Sequence, residues 1–261
     1  NMRVCILTVG SRGDVQPYVA LARSLERAGH RTAVCASPAY RSFIESYGVE
    51  YACVDTGDPQ VLLRSPEGQA IFRSTRNPLA LLQGLCRLLE PVLEKGYAEA
   101  CQVSADADAL LVAPGALPIA QALNESRDLP FASAFLQPNH PTREFGCWLF
   151  PDPPAWLPFR GRLRRASYQL TWQMLYRIVR GANDAARRNV LGLGPGVNPF
   201  AAMLQERWPT LYGISSSVLP RPADWGPELE LTGYWFLDRP SGWRPPSVLE
   251  DFLASGPKPI C

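Results

Sequence analysis

The stretch Thr8-Val9-Gly10-Ser11-Arg12-Gly13-Asp14-Val15-Gln16-Pro17 decides how this chain is read. Before it, Arg3 to Val9 is an apolar run of strand length. After it, Tyr18, Leu21, Ala22 and Leu25 fall at helical spacing and Gly29 closes the segment, which predicts a helix over residues 17–28. A strand, a glycine-bearing turn and a helix form the first half of a βαβ unit. In a parallel sheet such a turn lies at the carboxyl end of a strand, where α/β proteins bind ligands. The two glycines permit a tight bend and close backbone approach, and the helix N-terminus that follows favours negative charge.

The same alternation repeats outward. Arg31 to Ala36 reads as a second strand, Ser37-Pro38 as the cap of a helix reaching about Tyr47, and Val49 to Val54 as a third strand. Leu81, Leu82, Leu85, Leu88, Leu89 and Val92 mark a longer amphipathic helix with Pro91 as a kink. Ala109 to Ala113 and Phe131 to Phe135 read as buried strands around a helix from Leu117 to about Ser126. This alternation predicts an α/β fold, a Rossmann-like parallel sheet with helices on both faces.

The second half is less regular. Of 26 prolines, 17 lie at or after residue 138. The periodicity there predicts one helix from about Leu163 to Asn189 and short strands at Leu211 to Ile214 and Leu229 to Thr232. Pro240, Pro245, Pro246, Pro257 and Pro259 read as a linker, and Lys258 to Cys261 as the start of another strand. The expected organisation is one domain over residues 1–237, then a linker and the beginning of a second domain over 238–261.

Composition narrows the function. With 26 basic and 24 acidic residues, the chain lacks the broad basic surface of a nucleic-acid binder. Its apolar runs are too short to span a bilayer. The first residues enter a strand pattern at once, so no signal peptide is expected. Seven cysteines without a C-x-x-C pair predict a reducing, cytoplasmic setting without disulfides or a cysteine zinc site.

Three readings compete for the Gly10–Pro17 turn. A dinucleotide fingerprint needs G-x-G-x-x-G, and a phosphate-cradling loop needs Gly-Lys-Ser/Thr; neither is present. The third makes Asp14 a general base at the mouth of the sheet. Against it stands a plain role: Asp is a favoured N-cap, and Asp14 lies three residues before Pro17.

Four segments bear on this choice. They are Gly10 to Pro17 followed by Ala28-Gly29-His30, Gln137 to Phe145, Val218 to Trp225, and Thr232 to Asp238. In sequence and order they resemble GT-B glycosyltransferases of the sterol glucosyltransferase and antibiotic aglycone glycosyltransferase group. That resemblance implies two Rossmann-like domains facing across a cleft, the N-terminal one binding a lipophilic acceptor and the C-terminal one binding the nucleotide sugar. It implies transfer of a hexose, such as glucose from UDP-glucose, to an acceptor hydroxyl, with Asp14 as the base. The nucleotide sugar is a co-substrate, so no cofactor and no metal are expected. The turn residues Gly10, Ser11, Arg12 and Gly13 would lie on the donor side, offering N–H groups and charge to the leaving diphosphate. Donor binding is expected mainly outside these 261 residues. The reading from another class is a stand-alone module, without catalysis, that holds a lipid or a protein.

Further acceptor-site candidates are His140, Phe145 and Trp148. For His140 an acceptor-orienting role and an exposed loop position weigh equally. His30, after the Ala28-Gly29 helix end, reads as structural. From Cys147 to Arg165, Trp148, Leu149, Phe150, Trp156, Leu157 and Phe159 precede four arginines. Aromatics beside arginines suit an apolar pocket wall, a lipid headgroup boundary, or most simply a helix with a solvated basic face. Peripheral membrane contact is therefore kept among the partner expectations.

Overall fold

Among the described residues, seven parallel strands run in the order β3-β2-β1-β4-β5-β6-β7. They are β1 (Arg3–Leu7), β2 (Arg31–Ala36), β3 (Glu50–Cys53), β4 (Ala109–Val112), β5 (Phe131–Phe135), β6 (Thr210–Tyr212) and β7 (Leu229–Leu231). The computed structural model describes residues 1–55, 65, 66, 69, 78–239 and 244–259, with side chains omitted for 78–89. Strand β1 pairs with β2 on one side (Cys5 beside Ala33) and β4 on the other (Cys5 beside Leu110). The chain thus winds outward in one direction to β3, then returns to the middle and winds the other way. The gap between β1 and β4 is the switch point of the sheet.

The strands form because their side chains feed two cores at once. Cys5 and Leu7 enter one cluster, Val4 and Ile6 the other. Strand β2 splits the same way, Ala33 and Cys35 against Val34 and Ala36. Period-two alternation with both faces apolar is the mark of a doubly covered parallel sheet. Burying Ile6 fully is worth about 1.5–3 kcal/mol.

One face carries α1 (Arg12–Arg27) and α2 (Arg41–Glu45). The other carries α3 (Pro78–Val103), α4 (Leu117–Arg127), α5 (Arg160–Leu191) and α6 (Pro199–Gln205). Helices α3 and α5 are joined by a 2.5 Å hydrogen bond that the Tyr97 hydroxyl donates to Asn183 Oδ1. Arg187, fully buried in α5, reaches Glu125 of α4 at 2.6 Å.

Several expectations shift. Helix α1 begins at Arg12, five residues before the expected start, because Ser11 and Asp14 cap it there and Pro17 falls inside it. Pro17 then forgoes only its own bond to the Gly13 carbonyl. The Ser37-Pro38 helix divides into a 3₁₀ turn (Pro38–Tyr40) and α2, and Ser37 makes no side-chain cap bond. Helix α3 continues past Pro91 to Val103. The expected leucine stripe from Leu81 to Leu89 lies outside the described side chains. Within the expected linker stands another helix, α7 (Ser247–Ala254), none of whose residues is buried. The prolines permit it because they bracket it: Pro246 is its N-cap, and Pro257 and Pro259 follow its end. Lys258 and Pro259 belong to no strand, and residues 260–261 lie outside the described set.

Candidate active site

The crevice at the switch point is built from the carboxyl ends of β1, β4 and β5. Val9, Asp14 and Tyr18 line it from the β1 side, Ala113 and Pro114 from β4, Leu136 and Gln137 from β5. It is narrow, about 60 Å³. Three larger cavities share lining residues with it, one of about 410 Å³ through Leu136. Through Gln137 it meets a cavity of about 400 Å³ lined by Pro138, Gly146, Trp148 and Tyr168. Through Pro114 it meets an apolar cavity of about 290 Å³ between α4, α5 and α6, lined by Leu175, Tyr176, Val179 and Phe200 among others.

Asp14 occupies the third position of α1, and Ser11 is the N-cap. Asp14 Oδ2 accepts the Ser11 backbone N–H at 2.7 Å and the Ser11 hydroxyl at 3.0 Å. The expected N-cap role is therefore corrected: Asp14 closes a capping box from within the helix. Oδ1 makes no hydrogen bond among the described residues. A carboxylate that lines a crevice with one oxygen fixed and the other not hydrogen-bonded can take a proton from a hydroxyl placed there.

Gly10 makes this geometry possible. Its φ is +131°, and a Cβ there would lie 2.3 Å from Asp14 Oδ2 and 2.7 Å from Asp14 Cγ. Gly13 sits in the first turn of α1 and lines the 410 Å³ cavity that shares Leu136 with the crevice, together with Gln16, Gly213, Tyr234, Trp235 and Phe236. Arg12 is exposed, and its guanidinium stacks over the Phe43 ring at 4.6 Å. Arg12 and Gly13 occupy the first two helical positions, whose N–H groups have no intrahelical partner.

His140 is neither an exposed loop residue nor a ligand of the Asp14 crevice. It is buried among Phe135, Tyr212 and Trp225. The Tyr212 hydroxyl oxygen accepts the backbone N–H groups of Asn139 (3.2 Å) and His140 (3.0 Å). It lies 2.6 Å from His140 Nδ1. With two donors already pointed at that oxygen, its own proton goes to Nδ1, which leaves the ring proton on Nε2. Burial lowers the His140 pKa to about 4, so the ring is neutral at pH 7.

Phe145 is half-buried and packs on the core beneath the sheet. Trp148 lines the 400 Å³ cavity and is 67% exposed. The loop carrying both is pinned from the β6–β7 connection. Thr142 Oγ1 donates to Asp224 Oδ1 at 2.6 Å, the Arg143 N–H to Asp224 Oδ2 at 2.9 Å, and the Ala223 N–H to Glu144 Oε1 at 2.7 Å. Trp225 stacks on Tyr212 at 4.8 Å and 15°. Trp235, from the last of the four segments, packs on Tyr18 of α1 at 5.7 Å. Gly10–Pro17 and the three later segments thus meet at the carboxyl ends of the strands, whereas Ala28-Gly29-His30 lies at their amino ends, leading into β2.

Sequence reasoning missed Ser11 as the partner of Asp14, although Ser-x-x-Asp before an apolar helix is a capping-box signal. It named Gln137 only as the start of a matched segment, and it missed Pro114, which lines both the crevice and a neighbouring cavity, and the Tyr176–Phe200 cavity. No local pattern marks these, because they meet only across the sheet.

The profile described as Glycosyltransferase family 28 N-terminal domain matches residues 4–145, more than half of the chain. The chain belongs to this family. Among its relatives, a Sterol 3-beta-glucosyltransferase of Cryptococcus neoformans is 34% identical over 97% of the chain and 16% of that protein. The O-mycaminosyltylonolide 6-deoxyallosyltransferase of Streptomyces fradiae is 35% identical over 99% of the chain and 60% of that enzyme. The chain thus spans about one-sixth of the first relative and three-fifths of the second. Two solved structures share the fold. The kitacinnamycin glycosyltransferase has a TM-score of 0.55 at 17% identity, over 94% of this chain and 55% of its own. CalG4, the calicheamicin glycosyltransferase, has a TM-score of 0.51 at 16% identity, over 94% and 56%. The fold is therefore the Rossmann-like domain of GT-B glycosyltransferases. Among the described residues no helix is long and apolar enough to cross a membrane.

Proposed function

We propose that this family 28 domain is the acceptor-binding half of an inverting glycosyltransferase in which Asp14 is the general base. One observation carries the proposal: Asp14 lines the switch-point crevice with Oδ2 held by Ser11 and Oδ1 without a hydrogen bond among the described residues. The acceptor hydroxyl enters the crevice and gives its proton to Asp14 as its oxygen attacks the anomeric carbon. The carbon–oxygen bond to the nucleotide diphosphate breaks on the opposite side, so the configuration inverts. Accepting the Ser11 N–H and O–H keeps the carboxylate aimed, which places the base before the reaction begins.

The acceptor is a lipophilic alcohol, sterol-like or polyketide-like. The apolar cavity between Pro114 and Phe200 supports this, as do the acceptors named for the relatives. The donor is a hexose nucleotide such as UDP-glucose, held mainly by residues outside these 261. The positive end of α1, with Arg12 and Gly13, would face the leaving diphosphate. His140 acts here as an anchor of the Gln137–Trp148 loop, not as a second base: its Nε2 already carries the proton, and a pKa near 4 makes it a poor proton acceptor at neutral pH.

The test is transfer from a panel of nucleotide hexoses to sterol and macrolide acceptors by the intact protein, wild type against Asp14→Asn. Loss of turnover with acceptor affinity retained supports the proposal. Near-normal turnover in Asp14→Asn overturns it.

A further inference from the structure

Three residues that line the switch-point crevice carry polar side chains: Asp14, Tyr18 and Gln137. Tyr18 is committed to the fold, since its buried hydroxyl donates to the Ala134 carbonyl at 2.6 Å. Asp14 has one oxygen held by Ser11. The Gln137 carboxamide makes no hydrogen bond among the described residues, and the residue is exposed.

The backbone around Gln137 is nevertheless fixed. On one side the Phe135 carbonyl accepts the Gly213 N–H at 2.8 Å. On the other, the Tyr212 hydroxyl oxygen accepts the N–H groups of Asn139 and His140. Pro138 restricts the residue before it, Gln137, to extended backbone. A side chain without a partner in the fold thus stands on a rigid turn, on the same crevice as Asp14.

The neighbouring cavities differ in what they offer. The one that shares Pro114 is lined by a single side-chain hydroxyl, that of Tyr176, which donates to the Gly196 carbonyl at 2.7 Å. It suits hydrocarbon, because an acceptor oxygen there would leave water and meet no free side-chain partner. In the cavity that shares Gln137, the Tyr168 hydroxyl donates to the Gly146 carbonyl at 3.4 Å. The Gln137 carboxamide and the Trp148 indole N–H are the side-chain polar groups left there. The cavity that shares Leu136 contains Gln16 and Tyr234, neither of which lines the crevice.

A reacting hydroxyl gives its one proton to the base. A carboxamide supplies two donors and an acceptor, more than that hydroxyl uses. The spare capacity matches a second oxygen on the carbon next to the reacting one. Resting on Asp14 as the base, we propose that Gln137 determines acceptor specificity by hydrogen-bonding that second oxygen. The acceptor class is then a vicinal diol or α-hydroxy ketone on an apolar body, not a lipid with a lone hydroxyl. Its hydrocarbon fills the Pro114 cavity, and its second oxygen turns toward Gln137.

A matched pair of acceptors tests this: cholestanol, with one hydroxyl, and a cholestanediol with a second hydroxyl on the adjacent carbon. Calorimetry with the intact protein measures the affinity of each without any donor. Wild type should bind the diol about tenfold more tightly, the worth of one added hydrogen bond. Gln137→Leu should erase that preference by weakening the diol alone, with an unchanged melting temperature because the residue is exposed and bonds nothing in the fold. Gln137→Glu places a second carboxylate on the Asp14 crevice, so the acid limb of the kcat/KM profile should move to higher pH. Equal affinities in wild type, no binding of either acceptor, a preference that survives Gln137→Leu, or an unmoved acid limb in Gln137→Glu would overturn the proposal. Turnover of Asp14→Asn decides the base and the donor-free affinities decide Gln137, so the two readings fail separately.

Discussion

Replacing Gly10 by Ala tests whether the turn and the carboxylate are one device. The new Cβ would meet Asp14 Oδ2 at 2.3 Å, more than about 1 Å inside a van der Waals contact. Asp14 must therefore swing away and lose both bonds from Ser11. Two costs follow. The positive φ of residue 10 is strained for any side chain, at about 1–3 kcal/mol. The lost cap adds about 1 kcal/mol. Gly10→Ala should thus destabilise by about 2–4 kcal/mol. Asp14→Ala alone should cost about 1 kcal/mol. In the double variant the cap is already gone and only the Cβ of residue 14, 3.1 Å away, still crowds the new one, so the total should lie close to that of Gly10→Ala alone. The singles then exceed the double by about 1 kcal/mol, well beyond the roughly 0.3–0.5 kcal/mol scatter of independent sites. Urea unfolding of the four proteins measures the cycle. Additive costs, or a Gly10→Ala variant as stable as wild type, would refute the claim that the missing side chain at residue 10 positions Asp14.

Other outcomes follow from the same geometry. In the intact enzyme, Asp14→Asn should cut kcat by roughly 10² to 10⁴ while changing stability little, since the amide oxygen still accepts a capping bond; steady-state kinetics beside a melting curve checks this. Because the chain spans only 60% of the Streptomyces relative, the 261 residues alone should show no transfer above a blank with a radiolabelled nucleotide sugar. His140 should make stability depend on pH. Its folded pKa, about 4, lies below the unfolded 6.5, so the unfolded state binds the extra proton in that window. Stability is then full above pH 6.5 and falls as pH drops toward 4, by about 3 kcal/mol in all. Asn at position 140 offers Tyr212 an acceptor but cannot titrate; denaturation across this range should lose the His140 contribution, and an unchanged slope would assign it to other groups.

The sequence was sufficient for what depends on neighbours along the chain. Apolar runs of both-face burial, such as Arg3–Leu7 and Arg31–Ala36, and the helical spacing after Asp14 determined a parallel α/β sheet, because strand and helix periodicities are local. The carboxylate at the end of β1 was legible for the same reason, since that turn is contiguous. Boundaries set by competing local signals were less legible. Pro17 suggests a helix start, yet the Ser11–Asp14 pair begins α1 earlier, and the late prolines suggested a linker where they bracket α7. The tertiary structure alone decided how distant segments combine. Burial beside Tyr212 leaves His140 neutral, Asp224 pins the loop at Thr142, and Pro114 and Gln137 each line both the Asp14 crevice and a neighbouring cavity. Each depends on strand order across the sheet. The residues involved lie on separate strand ends and loops, and only the order β1-β4-β5-β6 brings those ends together.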